Sequence, residues 1–494
     1  MKNVKNKKVC IVGGGMGSIS SAVYLKKKGF DVSIYEKNST LGGRANIIKE
    51  SGFKFDVGPS LLNYPWIFEN LFDEAGEKME DHIDLIEIKS GVKFLWDDKE
   101  TFSITSDFPR LSNEIARLEN SHINGLNTFL KVNSQRYDIA FEKLLNRNLD
   151  NPIGWGTGLG AKELFSGSMF RSMYNDLGKH FKSKYIKEAF GSYAMYLGGS
   201  PFKIPGFFSI LPYGEIAYGL WMPKGGIYSL IEKLEEILIK IGVKIFKETA
   251  VKEILIKNNN VEGIVINNGE FKQFNTIVSN VDLPTTESKL IKGIKFNSFE
   301  KKQMTPSVMT FYWGLNKKTD FPHHMIFLPN DYKECFEDLF SKKLLPSGMP
   351  FYTSSPSVSD KTLAPSGKST LFALVPLPVT DDDDVNEFSN LTKKIKNKIF
   401  ERFNYHGIDL SPENIEFEKI YSPDKWRELY GLYKTSAFGA SHNLFNIGPF
   451  RNRNKSSKVN GLYYVGASTT PGTGLPMVTL SGKLVSERIL SDIS

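Results

Sequence analysis

Apolar and polar positions divide the first forty residues into a strand, a helix and a second strand. Val9–Val12 is a short apolar run that ends in a glycine-dense turn, and helical spacing follows from about residue 16 to residue 28. A second apolar run, Val32–Tyr35, ends on Glu36. This order predicts a βαβ unit with parallel strands.

The middle of the chain alternates between helical and strand-like periods. Residues 111 to about 190 have mainly helical spacing, with residues 150–152 and a glycine run at 154–160 as the main break. A helix is predicted for Ile227–Ile241, followed by a meander with hairpin turns over 243–278. The remaining predicted strands and loops are a strand entering a tight turn at 53–60, strands at 92–96, 309–315 and 372–376, and a solvated acidic loop at Asp381–Asp384.

One apolar stripe lies within the helical stretch. Phe165, Met169, Phe170 and Met173 recur at spacings of three and four among polar neighbours. A stripe of this kind is typical of buried core, and a helix that dips into a membrane surface is the alternative.

The glycine turn at 13–18 predicts a dinucleotide site. Gly13 permits the sharp turn, Gly15 permits close approach of a pyrophosphate, and the N–H groups of the following helix face its negative charge. Ser18 stands where the motif has its third glycine, which we expect to cost some packing. Glu36, about 20 residues further on, is placed to accept hydrogen bonds from a ribose.

Composition limits the setting of this site. Hydrophobic residues at 40% and charged residues at 24% describe a globular protein with two or three domains, and 36 Phe and 20 Tyr suit either a large apolar cavity or extra core volume. Cys10 and Cys335 cannot form a disulfide framework or a cysteine metal site, so we expect no metal and a reducing cytoplasm.

Charge and hydropathy leave a membrane surface as a possible partner. The net charge of +8 comes from dispersed basic residues without a nucleic-acid motif, so we expect no nucleic acid, and an uncommitted solvated surface is the plainest interpretation. The Lys-rich start is not followed by the apolar region of a signal peptide. The most apolar long segment, Gly206–Pro223, is interrupted by Pro212 and Glu215 and does not predict a membrane span.

A second glycine loop, Gly42-Gly43-Arg44, follows Glu36 and Lys37. Arg44 could supply a donor fork for phosphate oxygens. The pattern of Glu36 and Lys37 followed by this loop resembles FAD proteins of the glutathione-reductase-like class more than NAD enzymes. This comparison rests on family likeness.

Over nearly its full length the chain resembles the bacterial and fungal carotenoid (phytoene or diapophytoene) desaturases, a flavoprotein family. The motifs that carry the resemblance are the two glycine loops, Phe-Asp-Val-Gly-Pro-Ser at 55–60, Tyr-Leu-Gly-Gly-Ser-Pro-Phe at 196–202, Trp-Met-Pro-Lys-Gly-Gly at 221–226, Ser-Ser-Pro-Ser-Val-Ser-Asp-Lys at 354–361, and Tyr-Val-Gly-Ala-Ser-Thr-Thr-Pro-Gly-Thr-Gly-Leu-Pro at 464–476. Thr470 stands where the family usually has histidine, so a family role for that imidazole does not transfer.

The resemblance implies an α/β fold with a discontinuous, Rossmann-like FAD domain and an α+β substrate domain. We expect the FAD domain at 1–75, 222–290 and 456–494, and the substrate domain, with a mixed or antiparallel sheet and a helical membrane-facing region, at 76–221 and 291–455. The strand at 461–466, loop at 467–478 and helix at 479–490 repeat the opening order, which brings both chain ends to one domain.

The resemblance also implies the cofactor contacts. The adenine would lie near Val251, and the flavin would lie against Gly466 and the loop at 474–478, where the start of the helix predicted from Thr479 would stabilise a reduced, anionic ring. The implied FAD-binding residues are Gly13, Gly15, Met16, Gly17, Glu36, Lys37, Gly43, Arg44, Pro59, Ser60, Val251, Gly466, Gly474, Leu475, Pro476, Met477 and Val478.

Desaturation would remove a hydride and a neighbouring proton from a linear C30 or C40 polyene. A hydrocarbon offers no polar handle, so an apolar tunnel must orient it, and few polar catalytic groups are expected. His323 and His324 are weak candidates for a base, and exposed loop histidines are the alternative interpretation. The enzyme should be cytoplasmic and dock peripherally on the cell membrane through apolar faces of residues 160–225, aided by basic residues. Its oligomeric state stays open.

Three other functions fit the same motifs. A carotenoid isomerase, oxidase or saturase would share every cofactor residue. An amine oxidase would act on a polar substrate, often with covalent flavin, but no cysteine lies near the carboxy-terminal loop. A prenyl-lipid binding protein would need no flavin, so the colour of the purified protein discriminates.

Overall fold

The computed structural model of the protein describes residues 7–119, 122–148, 150–296, 299, 302–380 and 388–493. The acidic loop predicted at Asp381–Asp384 lies outside these residues. The strands are β1 (Lys8–Val12), β2 (Asp31–Tyr35), β3 (Ile47–Glu50), β4 (Phe53–Asp56), β5 (Leu85–Glu87), β6 (Val92–Trp96), β7 (Thr101–Ile104), β8 (Trp221–Pro223), β9 (Lys244–Phe246), β10 (Val251–Lys257), β11 (Asn260–Ile266), β12 (Phe271–Gln273), β13 (Ile277–Ser279), β14 (Ser307–Leu315), β15 (His324–Leu328), β16 (Phe351–Ser354), β17 (Ser369–Leu377), β18 (Ile415–Tyr421) and β19 (Leu462–Tyr464).

Helices cover both sheets and fill the region between them. They are α1 (Met16–Lys27), α2 (Pro65–Ala75), α3 (Phe108–Leu118), α4 (His122–Asp138), α5 (Pro152–Ser166), α6 (Met173–Leu177), α7 (Lys184–Gly191), α8 (Ile210–Tyr218), α9 (Ile227–Lys240), α10 (Leu283–Thr285), α11 (Tyr332–Glu337), α12 (Phe388–Tyr405), α13 (Pro423–Tyr430) and α14 (Leu475–Ile493). Short 3-10 turns relevant below lie at Ser192–Leu197, Leu444–Asn446 and Gly448–Phe450. In the part of the chain that the structure describes, no helix has both the length and the apolar character needed to cross a bilayer.

A five-stranded parallel sheet joins distant parts of the chain. Its order is β19-β13-β1-β2-β9, with Cys10 of β1 paired to Ile277 on one side and Ser33 on the other. The apolar run of β1 is buried because helices cover both faces of a parallel sheet. At one face α14 packs along α1, where a Cβ added at Gly482 would lie 2.5 Å from Ser20 Oγ. Strands from both chain ends therefore belong to one sheet, as predicted.

A mixed seven-stranded sheet forms the second layer. Its order is β18-β14-β17-β16-β15-β6-β7, with a parallel pair only at β15 and β6. Every residue of β14 is buried. Alternate side chains such as Met309 and Trp313 pack against α12, whereas Val308 and Tyr312 pack against Phe53 and its neighbours on β4. This mixed sheet confirms the predicted fold class.

Two predicted stretches differ from the structure. The segment at 243–278 is divided, because β9 and β13 join the parallel sheet while only β10, β11 and β12 form the meander. The predicted strand at 271–278 is accordingly two strands, β12 and β13, separated by a bend. The predicted break is present at residues 150 and 151, where the chain is not helical, whereas most of the glycine run at 154–160 lies inside α5, which changes direction at the non-helical Gly160 (φ 77°). Asn151 caps this helix by accepting a hydrogen bond from the Gly154 N–H (2.6 Å).

The apolar stripe is only half buried, so its prediction as core was partly wrong. Met169 and Met173 are 3% and 0% exposed, whereas Phe165 and Phe170 are 90% and 74% exposed. Phe165 lies on α5, and Met169 and Phe170 follow it in a turn before α6. The spacing identified an apolar side but could not show that the helix ends after Ser166, so that the four side chains do not share one helix face.

Candidate active site

The amino-terminal glycine turn is built as the sequence predicts. Gly13 has φ 86°, a left-handed conformation that glycine adopts without strain, and α1 begins directly after Gly15. The Ser18 hydroxyl donates to the Gly13 carbonyl oxygen at 2.5 Å. Serine at the third motif position therefore closes the turn with a side-chain hydrogen bond, in addition to fitting between helix and strand.

Glu36 lies at the end of β2 and holds this turn in place. Its Oε2 accepts a hydrogen bond from the Gly14 N–H at 2.5 Å, and its Oε1 accepts one from the Asn38 N–H at 2.8 Å. The carboxylate is buried. These two donors fix its orientation beside the turn, where a ribose hydroxyl would meet it.

Asn280, just after β13, links three parts of the site, and the sequence analysis missed it. Its Oδ1 accepts from the Ser18 N–H at 3.1 Å, and its Nδ2 donates to the Val465 carbonyl oxygen at 3.0 Å. A Cβ at Gly15 would lie 2.6 Å from Asn280 Oδ1, and one at Gly466 would lie 2.5 Å from Nδ2. No sequence motif marks this asparagine, because its partners are 185 and 262 residues away.

The second glycine loop contacts the first. The Gly42 N–H donates to the Gly14 carbonyl oxygen at 2.8 Å, and a Cβ at Gly43 would lie 3.2 Å from Gly15 Cα. Arg44 donates to the Ala437 carbonyl oxygen, and burial lowers the pKa of its guanidinium while Asp282 opposes that shift. The basic loop thus faces the glycine turn, as a pyrophosphate site requires.

Lys37 is held by the chain on the opposite side of the site. Its Nζ donates to the Glu428 carbonyl oxygen at 2.6 Å. Burial lowers the pKa of its ammonium, while Glu36 and Glu428 oppose the shift.

The carboxy-terminal loop differs from its prediction in where the helix starts. α14 begins at Leu475 and not at Thr479, so residues 475–478 form its first turn. The four-residue error arose because Pro476 suggested a loop, although proline is well suited to a first helical turn. The free N–H groups of the helix therefore lie next to Gly474.

Arg451 holds this loop and was also missed by the sequence analysis. Its buried guanidinium donates to the carbonyl oxygens of Thr469 (2.9 Å), Asn446 (3.2 Å) and Ala467. Burial lowers its pKa to about 10. An arginine that serves three loop carbonyls fixes the path of the chain between β19 and α14.

His442 brings an imidazole against the loop in which Thr470 stands in place of the family's histidine, close to Gly472 and Thr473. His442 is buried, its Nδ1–H donates to the Leu197 carbonyl oxygen (3.0 Å), and its Nε2 accepts from the Thr473 N–H (3.4 Å). Burial, followed by the charge of Arg451, holds its pKa well below the usual range. The loop therefore packs against a neutral imidazole from a distant segment.

A single cavity of about 740 Å³ connects these parts to an apolar region. Its apolar end is lined by side chains such as Leu144, Trp155, Met169, Phe208 and Ile447. Of the predicted FAD residues, those on its wall are Gly13, Gly15, Met16, Glu36, Lys37, Gly43, Arg44, Pro59, Ser60, Val251, Gly474, Leu475, Pro476, Met477 and Val478.

Gly17 and Gly466 are not part of the cavity wall. A Cβ at Gly17 would lie 3.0 Å from a methyl carbon of Val465 and 3.2 Å from one of Val478. The structure therefore gives both glycines a packing role behind the wall, with Gly466 against Asn280.

His323 and His324 are buried, so the alternative of exposed loop histidines was wrong. His324 starts β15, and its Nδ1 lies 2.7 Å from the Tyr352 hydroxyl, which is also 2.7 Å from Ser60 Oγ. His323 Nδ1 lies 2.7 Å from Ser359 Oγ. Burial lowers the pKa of His323 to about 4, and burial together with His323 holds that of His324 well below its usual range. Both are neutral, and neither lines the cavity.

The residues present fit FAD. The glycine turn leaves no side chain between β1 and the place of a pyrophosphate. The buried Glu36 carboxylate lies where a ribose would bind, and the same cavity extends from there to the start of α14. When bound, FAD would supply two-electron redox chemistry at the carboxy-terminal loop. The parallel sheet and this site define a dinucleotide-binding oxidoreductase of the Rossmann-like class.

Comparison with known proteins places the chain within this class. It belongs to the family described as flavin containing amine oxidoreductase, whose pattern matches residues 19–490. It is 31% identical over 493 residues to the zeta-carotene-forming phytoene desaturase of Myxococcus xanthus, covering 99% of this chain and 95% of that protein. It is 30% identical over 488 residues to the 4,4'-diapolycopen-4-al dehydrogenase of Metabacillus indicus, covering 98% and 97%. These relatives confirm the resemblance drawn from the motifs.

A solved structure supports the fold. Cyclohexylamine oxidase from Brevibacterium oxydans IH-35A matches with a TM-score of 0.60 at 11% identity, over 99% of each chain. At that identity the likeness shows the architecture alone.

Proposed function

We propose that this protein is an FAD-dependent desaturase that introduces conjugated double bonds into a linear C30 or C40 carotenoid precursor. The observation that carries the proposal is the single cavity that joins the dinucleotide turn to an apolar channel. A hydrocarbon needs such a channel, because shape is the only property by which a protein can orient it. The M. xanthus relative, similar over nearly the full length of both chains, supports the same chemistry.

The predicted FAD residues have distinct roles in this proposal. Glu36 would accept the ribose hydroxyls, the glycine turn and the Arg44 loop would hold the pyrophosphate, and Val251 would lie at the adenine. Pro59, Ser60 and the residues from 474 to 478 would hold the flavin end. We infer the matching division of the chain, with FAD-binding segments at 1–75, 222–290 and 456–494.

Purification and reduction of the flavin test the proposal. The protein should be yellow and retain FAD. Mixed without oxygen with liposomes that contain phytoene or 4,4'-diapophytoene, it should lose its flavin absorbance as conjugated polyene absorbance rises in proportion. A colourless protein that takes up no FAD, or a flavin that neither precursor reduces, would contradict the proposal.

We also infer that the apolar end of the cavity docks on an anionic membrane surface. Ile153 (81% exposed) and Phe165 lie on α5, Phe170 follows it, and Phe450 lies on the 3-10 turn that packs against α5. We call these four residues the α5 patch. Trp155 of the same helix lines the cavity. The substrate of the proposed reaction dissolves in a bilayer, and exposed aromatic residues beside a cavity opening are suited to enter one.

Vesicle binding tests the α5 patch. The double variant Phe165→Ser/Phe170→Ser should bind phosphatidylglycerol-containing vesicles at least about tenfold more weakly, since each buried phenylalanine contributes roughly 1.5 to 3 kcal/mol. Phe271→Ser removes an exposed phenylalanine from β12 and should leave binding unchanged. Equal binding by both variants would exclude the α5 patch as the docking site.

A second function, oxidation of an oxygenated carotenoid end, is favoured by the M. indicus relative. It would use the same cofactor site. Product spectra and masses distinguish the two, because desaturation extends conjugation without adding oxygen, whereas aldehyde oxidation produces an acid.

A further inference from the structure

Glu215 is a buried carboxyl group that no interaction in the fold accounts for. It lies on α8, inside the apolar segment that it interrupts in the sequence, and is 1% exposed. Neither of its oxygens has a hydrogen-bond partner in the described structure. Burying a carboxyl group without a hydrogen-bond partner costs several kcal/mol, so Glu215 does not stabilise the fold and a functional role is the better explanation for it.

The surroundings of Glu215 are tyrosines that border the cavity. Burial, and then the charge of Glu215 among other groups, raises the pKa values of Tyr64, Tyr193, Tyr196 and Tyr352, which come from three places in the chain. Tyr64, Tyr196 and Tyr352 line the cavity. Gly214 places α8 directly against Tyr64, because a Cβ there would lie 2.5 Å from the Tyr64 hydroxyl oxygen.

The hydroxyls of Tyr193 and Tyr196 are also buried without hydrogen-bond partners, and their rings lie 5.1 Å apart. Two unsatisfied hydroxyls and an unsatisfied carboxyl are thus grouped behind one part of the cavity wall. By contrast, the neighbouring hydroxyls of Ser60 and Tyr352 are hydrogen bonded to each other, and that of Tyr352 is also hydrogen bonded to His324 Nδ1.

We propose that Glu215 is the proton acceptor of the desaturation and receives, through the Tyr196 hydroxyl, the proton that leaves the substrate carbon next to the carbon that loses hydride. This inference rests on the proposed function. Tyr196 lines the cavity and Glu215 does not, so Glu215 is a positioning residue that holds the proton, and Tyr196 is the group that would touch the substrate. Neither group has another hydrogen-bond partner in the described structure, so the Tyr196 hydroxyl can turn to the Glu215 carboxylate when substrate is bound.

The step balances. One C–H bond breaks with its electron pair leaving as hydride to oxidised FAD, and the adjacent C–H bond breaks with its electrons forming the new C=C bond. The Tyr196 oxygen takes the second proton while its own proton moves to the Glu215 carboxylate. Hydride loss beside a polyene leaves a cation that acidifies the adjacent C–H, so a hydroxyl backed by a carboxylate is a sufficient base.

The protonation behaviour of Glu215 suits this role better than that of the histidines. Burial raises its pKa to about 8. A group that titrates close to the working pH can take up and release a proton in each turnover. His324, whose pKa lies well below its usual range, would hold a proton too weakly.

Glu215→Gln tests the inference, with Glu188→Gln as the matched control. Glu188 is another buried carboxyl, with a pKa raised by burial to about 7, but it accepts a hydrogen bond from Trp96 Nε1 (2.7 Å) and does not line the cavity. In the FAD-loaded protein, substrate reduction of the flavin should rise with pH through about pH 8 in wild type and in Glu188→Gln. In Glu215→Gln it should be at least about 100-fold slower and independent of pH over that range, as expected for loss of a general base.

A second measurement uses the flavin-free protein. Infrared difference spectra should show a carboxylic acid carbonyl band that disappears as the pH rises through about 8 in wild type and is missing from Glu215→Gln. Both variants replace a neutral acid by an amide of the same shape, so both should fold.

The outcomes separate the inference from the proposed function. If wild type reduces its flavin with a carotenoid precursor and Glu215→Gln does so at the same rate and with the same pH profile, the inference is wrong and the function stands. A carboxylic acid band that titrates near pH 8 in Glu215→Gln with the same intensity as in wild type would also overturn the assignment. If no precursor reduces the wild-type flavin, the proposed function fails and the inference fails with it, whatever the infrared titration shows.

Discussion

The side-chain oxygen of Asn280 accepts a hydrogen bond from the backbone N–H of Ser18, and the two residues are 262 positions apart. The amide nitrogen of the same side chain donates to the Val465 carbonyl oxygen at 3.0 Å. The Asn280 side chain therefore joins α1, which follows the glycine turn, to the end of β19, which leads into the carboxy-terminal loop.

Asn280→Leu should destabilise the protein and weaken its hold on FAD. The change removes the hydrogen bonds of the Asn280 side chain to the Ser18 N–H and to the Val465 carbonyl oxygen and puts an apolar group beside them, which costs roughly 1 to 3 kcal/mol. Thermal unfolding and FAD retention after gel filtration measure the two effects. Asn267→Ala, at an exposed turn, should change neither, and a stable FAD-loaded Asn280→Leu protein would show that the link is dispensable.

Glu36→Gln should weaken FAD binding about tenfold to 100-fold. The carboxylate accepts charge-assisted hydrogen bonds from Gly14 and Asn38, and its loss would also remove the acceptor for a ribose hydroxyl. Hydrogen bonds to charged groups contribute roughly 1.5 to 3 kcal/mol each, which corresponds to this range of affinity.

FAD titration of the flavin-free protein, followed by quenching of flavin fluorescence, measures the effect of Glu36→Gln. Glu232→Gln is the control, since Glu232 forms an exposed ion pair with Lys49 (2.8 Å) that contributes little. Equal affinity in Glu36→Gln and wild type would remove Glu36 from the cofactor site.

Arg451→Lys should release the loop between β19 and α14 although it keeps the positive charge. An ammonium group cannot present donors in the planar fork that reaches Thr469, Ala467 and Asn446 together. We expect a loss of about 2 to 4 kcal/mol in unfolding free energy and weaker flavin binding, measured by urea unfolding and flavin content. Arg453→Lys, at an exposed arginine two residues away, should be neutral, and equal behaviour of the two variants would contradict the proposed function of Arg451.

Local patterns predicted the parts of the fold that depend on local physics. The βαβ unit, the strands at 92–96 and 309–315 and the hairpin of β10 and β11 follow from periodicity and turn residues, and each is present. The division of the 243–278 segment between two sheets could not be predicted, because hydropathy alternation identifies a strand but not its partner.

The burial of polar residues was the second feature that the sequence could not predict. His323 and His324 follow a Phe-Pro pair that suggested an exposed loop, yet β15 is a central strand whose neighbours come from residues 92–96 and 351–354. Asn280 and Arg451 also act through long-range contacts. Such groups are defined by the completed fold, so a single sequence carries no local signal for them.

A buried ion cluster in the helical region gives a prediction about acid stability. Arg136 donates to Asp176 (2.7 Å) and to Glu163 (3.1 Å), and all three side chains are buried. Arg171 adds a second contact to Asp176 at 2.9 Å. Burial would raise the pKa of Asp176, but the charge of Arg136 and the hydrogen bonds from both arginines outweigh it and leave that pKa below its usual value.

Because the pKa of Asp176 is lower in the folded protein than in the unfolded chain, its contribution to stability is present above the unfolded pKa of about 3.9 and is lost as the pH falls through the folded value. Arg136→Met should cost about 3 to 5 kcal/mol at pH 7, because it removes the ion pair of buried Glu163 and leaves buried Asp176 with only Arg171 and Lys179. The difference from wild type should shrink as the pH falls below about 3.9, where the unfolded chain binds a proton at Asp176, and further as the pH falls through the lower folded pKa of Asp176. Urea unfolding at several pH values measures this. Arg171→Met, at a half-buried arginine, should cost about 1 kcal/mol or less, and a pH-independent difference for Arg136→Met would mean that packing, and not charge, dominates the cluster.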